Sequence, residues 1–331
     1  MVLNLLRRVW PQTFPAKPTL TSANLPPQSN RVVIITGSTA GIGLELARIL
    51  YSAGATVYIA ARNEQKAQAT IQALTAEDPT ASGKLNFLPL DLSDLTTIGP
   101  FVTQFLERES RLDLLFNNAG VALQPLTQRT AQNLEPQLGI NCAAPYLLTT
   151  LLSDVLTRTA AHAPPDSVRV IWSSSMIVET LAPRGGVPAK ELDNPSSNVY
   201  RNYAISKTGN WFLADRFAKK FAAAAGKDEK AVVSVTVNPA NAYTGIYDDA
   251  PKLVVWMCKP IFYTAREGAN SLLWAGCSSE VTAADSGRYI IPFGRWHPCP
   301  RGDLIEEMSK GDEGNAVGLE KWCERVTADF R

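Results

Sequence analysis

The sequence predicts an α/β fold in which a doubly wound parallel sheet of about seven strands carries helices on both faces. From Arg31 onward, short runs of β-branched and aromatic residues alternate with longer helical stretches, and this alternation is typical of a parallel sheet. The strand candidates are almost wholly apolar, as expected for strands that are covered on both faces. Because we find neither a second core nor an internal repeat, we predict a single domain.

The pattern assigns the elements in order along the chain. Strands are predicted at Val32–Thr36, Thr56–Ala60, Leu85–Leu90, Leu112–Phe116, Val168–Trp172, Val232–Val237 and Arg288–Ile291. Helices are predicted at Gly43–Ser52, Glu64–Ala76, Leu95–Glu109, Ala131–Leu156, Val199–Ala225 and Ala265–Cys277. We place the domain at residues 31–295. A Pro-rich lead-in at residues 1–30, extended over the surface from residue 11, precedes it, and a tail at residues 296–331 packs on the same domain.

Composition excludes several classes of protein. Lys and Arg total 32 and Asp and Glu total 31, which gives a net charge of +1, so no net field favours nucleic acid. The five cysteines are odd in number and form no CxxC pair, which disfavours a disulfide framework or a zinc site. Reduced thiols fit a cytoplasmic protein. No run approaches the roughly 18 apolar residues of a membrane span.

Two apolar segments leave two interpretations open. The first, MVLNLLRRVW, has an apolar run too short for a signal peptide and is interrupted by arginines. The second, Leu253–Tyr263, is interrupted by Lys259 and Pro260. They are either a helix end and an apolar loop, or they form a shallow peripheral membrane contact or a substrate lid.

A glycine-rich loop follows the first predicted strand and leads into a helix. It reads Gly37-Ser38-Thr39-Ala40-Gly41-Ile42-Gly43. Glycines let the chain turn sharply and approach a pyrophosphate with its backbone, while the helix N-terminus offers N–H groups and positive potential. The order strand, glycines, helix is the context that a dinucleotide site requires. We therefore predict a Rossmann-fold domain that binds a dinucleotide through Gly37, Ser38, Gly41, Ile42 and Gly43.

The residue after the second strand selects between the two nicotinamide cofactors. An acidic residue there would bind the ribose 2′-hydroxyl of NAD, but the strand is followed by Arg62. An arginine pairs instead with the 2′-phosphate of NADP through charge-assisted hydrogen bonds. Arg62 thus predicts NADP(H), with a solvated surface arginine as the alternative.

A tyrosine and a lysine stand four residues apart in the longest predicted helix. Tyr203 and Lys207 lie on one helix face. A free tyrosine has a pKa near roughly 10 and is a poor acid at neutral pH, but a nearby ammonium lowers that pKa. We therefore predict that Tyr203 is a general acid/base tuned by Lys207.

Together these motifs resemble the short-chain dehydrogenase/reductase family over about residues 31–292. The resemblance rests on Thr-Gly-x-x-x-Gly-x-Gly at the first strand, Asn117-Asn118-Ala119-Gly120 after the fourth, and Tyr-x-x-x-Lys. The Pro-rich lead-in, the long spacing from the strand-end serines to Tyr203 and the tail near Ile291–Arg295 look like a retinol-dehydrogenase-like branch found in fungi.

The resemblance implies roles for further residues. Asp91 lies against the adenine, or caps the helix near Ser93 and Asp94, or does both. A serine at the end of Val170–Ser175 binds the substrate oxygen; Ser175 is the first choice and Ser174 the alternative. Asn141 holds a water in the proton relay, or is an amide bonded to the backbone. Lys207 also binds the ribose hydroxyls.

The region after the sixth strand departs from the family pattern. Pro239-Ala240-Asn241-Ala242-Tyr243-Thr244 resembles P-G-x-x-x-T, whose threonine meets the nicotinamide carboxamide. Ala240 replaces the glycine, and alanine resists positive φ. If the backbone needs that angle here, we expect the loop to shift. The predicted cofactor-binding residues are Gly37, Ser38, Gly41, Ile42, Gly43, Arg62, Asp91, Asn118, Ala119, Gly120, Tyr203, Lys207 and Thr244.

The implied function is an NADP(H)-dependent oxidoreductase that interconverts a ketone or aldehyde with an alcohol. Apolar and aromatic residues after Thr244, from Tyr247 to Tyr263, indicate a hydrophobic small-molecule substrate, as in secondary metabolism, or they simply close the core. The alternative function, favoured by Ala240 alone, is an NADP(H)-binding scaffold or sensor without turnover. A homo-oligomer is compatible with the sequence.

Overall fold

The structure is a computed structural model that describes residues 2–226, 230–242 and 262–331. Its centre is an eight-stranded sheet with strand order β3-β2-β1-β4-β5-β6-β7-β8. The strands are β1 (Val32–Thr36), β2 (Thr56–Ala61), β3 (Lys84–Pro89), β4 (Leu114–Asn117), β5 (Arg169–Ser173), β6 (Val233–Val237), β7 (Tyr289–Ile291) and β8 (Arg295–Trp296).

Strands β1 to β7 pair in parallel, and β8 pairs antiparallel with β7. The predicted parallel sheet is confirmed, with one strand more than the expected seven. The extra strand has two residues and follows a turn in which Phe293 and Gly294 both have positive φ. A segment this short shows no periodicity from which a strand could be predicted.

Helices flank the sheet on both faces, as predicted. They are α1 (Val2–Thr13), α2 (Gly41–Ser52), α3 (Glu64–Glu77), α4 (Ile98–Arg108), α5 (Pro136–Leu138), α6 (Ala144–His162), α7 (Ile177–Thr180), α8 (Lys190–Asp193), α9 (Val199–Ala225), α10 (Ala265–Cys277), α11 (Gly302–Ser309) and α12 (Asn315–Val326). The helix predicted at Ala131–Leu156 begins instead at Pro136, passes through a π-helical turn at Gly139–Ala143, and extends to His162.

The sheet separates two hydrophobic cores. Val32 and Ile34 of β1 pack in the core that contains α4, α6 and α9, whereas Val33 and Ile35 pack in the core that contains α2, α3 and α10. Successive residues of a strand point to opposite faces, so a strand buried on both faces must be apolar throughout. This is the physical origin of the unbroken apolar runs in the sequence.

The lead-in is not extended throughout, contrary to the prediction. Helix α1 continues to Thr13, and Gln12 in its last turn is 1% exposed. Further along, Gln28 is also buried, and its backbone N–H donates to the Ala53 carbonyl at 2.7 Å. The lead-in therefore contributes polar side chains to the interior, although most of its residues lie at the surface.

The last helix packs on the longest one. Glu320 of α12 accepts from Arg216 Nε of α9 at 2.5 Å, and its other carboxylate oxygen lies 2.6 Å from Lys220 Nζ. The division of the chain at residues 30 and 295 stays a prediction. Within the described residues, no helix is both long enough and apolar enough to cross a membrane. Thr244 and the apolar residues from Tyr247 to Ile261 lie outside the described residues.

Candidate active site

A cavity of about 610 Å³ opens at the carboxyl edge of the sheet. It lies where β1 and β4 are neighbours but the connections that follow them depart in opposite directions, which is the place where open α/β sheets bind ligands. The predicted site residues that line it are Gly37, Gly41, Ile42, Gly43, Arg62, Asp91, Asn118, Ala119, Gly120, Ser174, Ser175, Tyr203 and Lys207.

The glycine loop is built for close approach. Gly37 and Gly41 have φ of +69° and +56°, which side chains resist. A Cβ on Gly37 would stand 3.0 Å from the Ala119 Cα, and one on Gly43 would stand 2.5 Å from the Gly37 carbonyl oxygen. Helix α2 begins at Gly41 without a side-chain cap, so its N-terminal N–H groups are available to an anion.

Ser38 belongs to the glycine loop but does not line the cavity. Its side chain is fully buried and Oγ donates to the Ile35 carbonyl at 2.9 Å, because the turn after β1 points it back toward the strand. Ser38 is not in the cavity wall, whereas its neighbours Thr39 and Ala40 are. A contact of Ser38 with cofactor stays a prediction.

Thr36, which sequence reasoning missed, connects β1 with the loop after β4. Its Oγ1 donates to the Phe116 carbonyl at 3.2 Å and accepts from the backbone N–H groups of Asn118 and Ala119 at 3.0 and 2.9 Å. The Asn118 side chain in turn donates to the Thr36 carbonyl at 2.9 Å. A hydroxyl residue at the end of an otherwise apolar strand was the available signal.

The two residues predicted to hold the adenosine half lie at the ends of β2 and β3. Arg62 is exposed at the cavity wall. Asp91 accepts from the backbone N–H of Ser93 at 2.9 Å and from Ser93 Oγ at 2.7 Å. Asp91 thus also stabilises its own turn, and the helical cap is Asp94, which accepts from the Thr96 N–H.

Tyr203 and Lys207 both reach the cavity from α9. Lys207 Nζ lies 5.8 Å from the centroid of the Tyr203 ring and donates to the Ser173 carbonyl at 3.1 Å. Burial lowers the pKa of Lys207 to about 8. A Cβ on Gly120 would stand 3.0 Å from that ammonium, so the glycine of the Asn-Asn-Ala-Gly segment leaves room for the lysine.

Comparison with known proteins agrees with this geometry. A family model described as short chain dehydrogenase matches residues 31–176. The short-chain dehydrogenase/reductase iacJ of Pestalotiopsis fici is 39% identical over 328 residues, which cover 98% of each chain. The chain belongs to the short-chain dehydrogenase/reductase family. It is an oxidoreductase, and its family binds NAD(P).

Two further relatives support the assignment. A short-chain dehydrogenase/reductase of Phomopsis amygdali is 39% identical over 335 residues, covering 99% of this chain and 98% of its own. A crystal structure of a protein from Mycobacterium paratuberculosis superposes with a TM-score of 0.67 at 25% identity, covering 93% of this chain and 97% of that chain. None of these relatives bears the name of the retinol-dehydrogenase-like branch, which stays a prediction.

The three serines at the carboxyl end of β5 have different environments in this dehydrogenase. The Ser173 carbonyl accepts from Lys207 and from Asn210 Nδ2 at 2.7 Å. Ser174 Oγ is buried and donates to the Lys207 carbonyl at 2.8 Å. Ser175 is half-buried, and its Oγ accepts from the Ile177 N–H at 3.3 Å. Of the two candidates, Ser174 is therefore engaged with α9, and Ser175 is the more accessible.

Tyr289 of β7 is a second residue that the sequence did not reveal. Its hydroxyl donates to the Ser175 carbonyl at 3.0 Å and lies 3.4 Å from Ser174 Oγ. Burial strongly raises the pKa of Tyr289, so it stays a neutral donor that holds the serine segment in place. A tyrosine within a short apolar strand has no pattern that distinguishes this role from core packing.

Asn141 lies in the π-helical turn and is 1% exposed. Its Oδ1 accepts from the Val121 N–H at 2.9 Å, and its Nδ2 donates to the Val121 carbonyl at 3.0 Å and to Ser206 Oγ at 2.9 Å. The side chain is outside the cavity wall and bonded to backbone, as the alternative interpretation described. A role of Asn141 in a water relay stays a prediction.

Ala240 answers the question raised by the missing glycine. It has φ of +78° and lines the cavity. The loop has not shifted to a conformation that alanine prefers. Instead, alanine adopts the left-handed region, at a cost of roughly 1–2 kcal/mol, so surrounding contacts must hold it there.

Proposed function

We propose that this dehydrogenase uses NADP(H) to interconvert a ketone or aldehyde with an alcohol on a hydrophobic small molecule. The observation that carries the proposal is the meeting of Tyr203 and Lys207 with the glycine loop in one cavity. A phenol beside an ammonium is an acid/base pair, and the loop is a cradle for a pyrophosphate. The proposed proton donor and the proposed pyrophosphate cradle thus lie at one edge of the sheet.

The cavity residues fit NADP(H) in two respects. A Cβ on Gly37 or Gly43 would crowd the neighbouring backbone, so both glycines are needed for the tight turn, and the uncapped start of α2 favours a pyrophosphate. Arg62 stands exposed at the end of β2, where an acidic residue would favour NAD. When bound, the cofactor supplies or accepts the hydride at the carbonyl carbon.

The protein's own residues manage the oxygen of the substrate. Tyr203 donates its hydroxyl proton to the carbonyl oxygen as negative charge develops there, and the Lys207 ammonium stabilises the phenolate that remains. Ser175 Oγ accepts a hydrogen bond from the Ile177 N–H, which leaves its own hydroxyl proton for donation to the substrate oxygen. Preorganised donors of this kind supply the largest share of rate acceleration in many enzymes. Oxidation of an alcohol uses the same groups in reverse.

The first test removes the proton donor. We expect Tyr203→Phe to lower kcat by at least about a thousandfold, because the catalytic proton is lost while the ring is kept. NADPH binding, measured by fluorescence titration, should stay within about threefold of the wild-type value. Turnover of Tyr203→Phe at the wild-type rate on any substrate from a carbonyl panel would refute the assignment. Tyr200→Phe, an exposed tyrosine one turn earlier, is the matched control.

The second test addresses cofactor choice. We expect Arg62→Glu to lower kcat/KM for NADPH by about tenfold to a hundredfold, because a charge-assisted pair is replaced by repulsion of the 2′-phosphate. The value for NADH should hold or rise. Arg108→Glu, which alters a charge outside the cavity wall, should leave both values unchanged. Equal losses with NADPH and NADH would contradict the preference.

The substrate class follows from the apolar residues of the chain around the site. Val121, Ala122, Ile140 and Ala242 add apolar surface to the cavity, and apolar lining favours apolar ligands. Both curated relatives described above come from fungi. We infer a bulky hydrophobic carbonyl or alcohol of secondary metabolism, and comparison of metabolites before and after gene deletion tests it.

No observation now favours the alternative of a scaffold without turnover. That alternative depended on the replacement of the family's glycine by Ala240. Ala240 nevertheless has a positive φ, which is an angle that glycine readily adopts, so the replacement has not changed this backbone angle to one that alanine prefers. We therefore propose the enzymatic function only, and oxidation of NADPH across the carbonyl panel is its direct assay.

A further inference from the structure

Gln12 is a buried polar residue with partners far along the chain. Its Oε1 accepts from Asn238 Nδ2 at 2.8 Å, and its Nε2 donates to the Arg8 carbonyl at 3.0 Å. The same nitrogen lies 3.1 Å from His297 Nε2. A buried amide is stable only when both ends are satisfied. The position of Gln12 is therefore fixed by residues of α1 and by the segment after β6.

Asn238 transmits this constraint to the cavity wall. It follows β6 directly, and its backbone N–H donates to the Ile290 carbonyl at 2.9 Å. Its side-chain Oδ1 accepts from the backbone N–H of Ala240 at 3.2 Å. Because an N–H must face an oxygen, this bond fixes which end of the Asn238 amide points to Ala240. The remaining NH₂ group faces Gln12, which must offer an oxygen.

Ala240 is the residue that needs such support. Its φ of +78° is one that alanine avoids, and it lines the cavity together with Tyr203 and Lys207. A glycine would adopt this angle without help. The chain therefore combines a residue unsuited to its conformation with two buried amides that hold the neighbouring backbone.

We propose that Gln12 is a positioning residue for the cofactor-binding loop. Through Asn238 it holds Ala240 in the left-handed conformation. Helix α1 does not line the cavity, but it thereby fixes the conformation of a residue that does. The proposal rests on the proposed function only for the identity of the ligand that the loop meets.

The experiment compares Gln12→Leu, Ala240→Gly and the double variant. Leucine keeps the approximate size of glutamine and removes both hydrogen-bonding groups. We expect Gln12→Leu to raise the Kd for NADPH by about five- to thirtyfold, because the loop is released to conformations that alanine prefers. In the Ala240→Gly background the same substitution should change Kd by no more than about threefold, since glycine adopts the positive φ without support from Asn238.

A second readout requires no cofactor. We expect hydrogen exchange at the Ala240 amide to be faster by about tenfold or more in Gln12→Leu, because the Asn238 acceptor is no longer fixed. Leu6→Ala, on the same helix but 51% exposed, is the control and should change neither readout. If wild-type protein fails to bind NADPH, the proposed function fails, yet exchange at Ala240 still decides the role of Gln12.

Two results would overturn the proposal. One is unchanged exchange and unchanged Kd in Gln12→Leu. The other is an equal loss in both backgrounds, including failure of both Gln12→Leu proteins to fold, because Gln12 would then serve only the packing of α1. Rescue by Ala240→Gly is the result that a merely structural role would not produce.

Discussion

At the scale of single residues, Lys207 has the environment that matters most for the proposed chemistry. The side chain is 5% exposed, and its ammonium donates to the Ser173 carbonyl. Burial disfavours the charged form and lowers the pKa of Lys207 to about 8 from the ordinary 10.5. The group therefore remains mostly protonated at neutral pH but loses its charge within the range in which the enzyme can be assayed.

This lowered pKa predicts the pH dependence of catalysis. We expect kcat/KM for carbonyl reduction to fall as pH rises above about 8, because neutral Lys207 no longer stabilises the Tyr203 phenolate. In Lys207→Arg the guanidinium stays charged, so the alkaline decline should move to higher pH even if the rate is lower. An unmoved decline in that variant would assign it to another group.

The lowered pKa of Lys207 also makes the free energy of unfolding depend on pH. Between pH about 8 and 10.5 the unfolded chain keeps the lysine proton and the folded chain releases it. Where the unfolded state binds more protons, stability rises with pH, by about 1.4 kcal/mol per unit for one group. We expect Lys207→Met to lack this rise, which urea unfolding at pH 8, 9 and 10 would measure.

Residue identity predicted some of the site and not the rest. Gly37, Gly43, Tyr203 and Lys207 were predictable because backbone approach and proton transfer each demand particular residue types at fixed spacing. The buried environment of the Ser38 side chain was not predictable, because the direction of a side chain in a turn depends on backbone angles that residue types alone do not give. Gln12 has partners 226 and 285 residues away, and no local pattern encodes such distances.

At the scale of elements, the start of α9 determines where Tyr203 stands. Asn198 is the N-cap, and its Oδ1 accepts from the backbone N–H groups of Tyr200 and Arg201 at 3.0 and 3.2 Å. The Arg201 guanidinium also forms a bidentate pair with Glu191 at 2.7 and 2.8 Å. Tyr203 lies about one turn after the N-cap, so these contacts hold the helical turn that leads directly to Tyr203.

Loss of this cap should affect both stability and turnover. We expect Asn198→Ala to lower the free energy of unfolding by about 1 kcal/mol, and to lower kcat more than it changes KM, because a frayed first turn displaces Tyr203. Asn198→Asp keeps the acceptor and adds favourable charge at the helix N-terminus, and should behave like wild type. Urea unfolding and steady-state kinetics measure both effects, and equal losses in the two variants would contradict the prediction.

Element positions followed from periodicity wherever segments were long. The predicted strands match seven of the eight observed ones within two residues at their ends. All of these except the edge strand β3 are mostly buried, which leaves a clear apolar run. The helix predicted at Ala131–Leu156 was placed too early and ended too soon, because residues 131–135 precede Pro136, which occupies the first helical turn. A π-helical turn such as Gly139–Ala143 has no sequence signature at all.

At the scale of the whole molecule, helix α12 is joined to α9, the helix that carries Tyr203 and Lys207. Glu320 is 4% exposed and pairs with Arg216 and Lys220 of α9. Trp322 Nε1 donates to Asp193 Oδ1 of α8 at 3.0 Å. Leu319, Trp322 and Cys323 are buried in the same core as α9. These contacts make α12 part of the core that supports α9.

Breaking this connection should cost stability and leave catalysis intact. We expect Glu320→Ala to lower the free energy of unfolding by about 2–3 kcal/mol, because two cations lose a buried partner. Glu306→Ala removes the exposed half of a surface pair with Lys310 and should cost less than about 1 kcal/mol. Chemical denaturation ranks the two variants, and similar losses in both would show that α12 adds little. Values of kcat/KM should stay at the wild-type level.

The global architecture was predictable because it depends on sums over many residues. Alternation of strand and helix, together with fully apolar strands, determines a parallel sheet covered on both faces whatever the individual contacts are. The connection between α12 and α9 was not predictable in the same detail, because it consists of a few charged residues that are indistinguishable from solvated ones in the sequence.

The long-range bond of Gln12 also imposes an order on biosynthesis. Its partner His297 is made 285 residues later, which at about 5–20 residues per second corresponds to roughly 15–60 s of translation. Two other partners of the first helix, Met176 and Asn238, are made earlier, so α1 can begin to dock before His297 is available. The bond between Gln12 and His297 can therefore form only after both residues of the Gln12–Asn238 pair have been made.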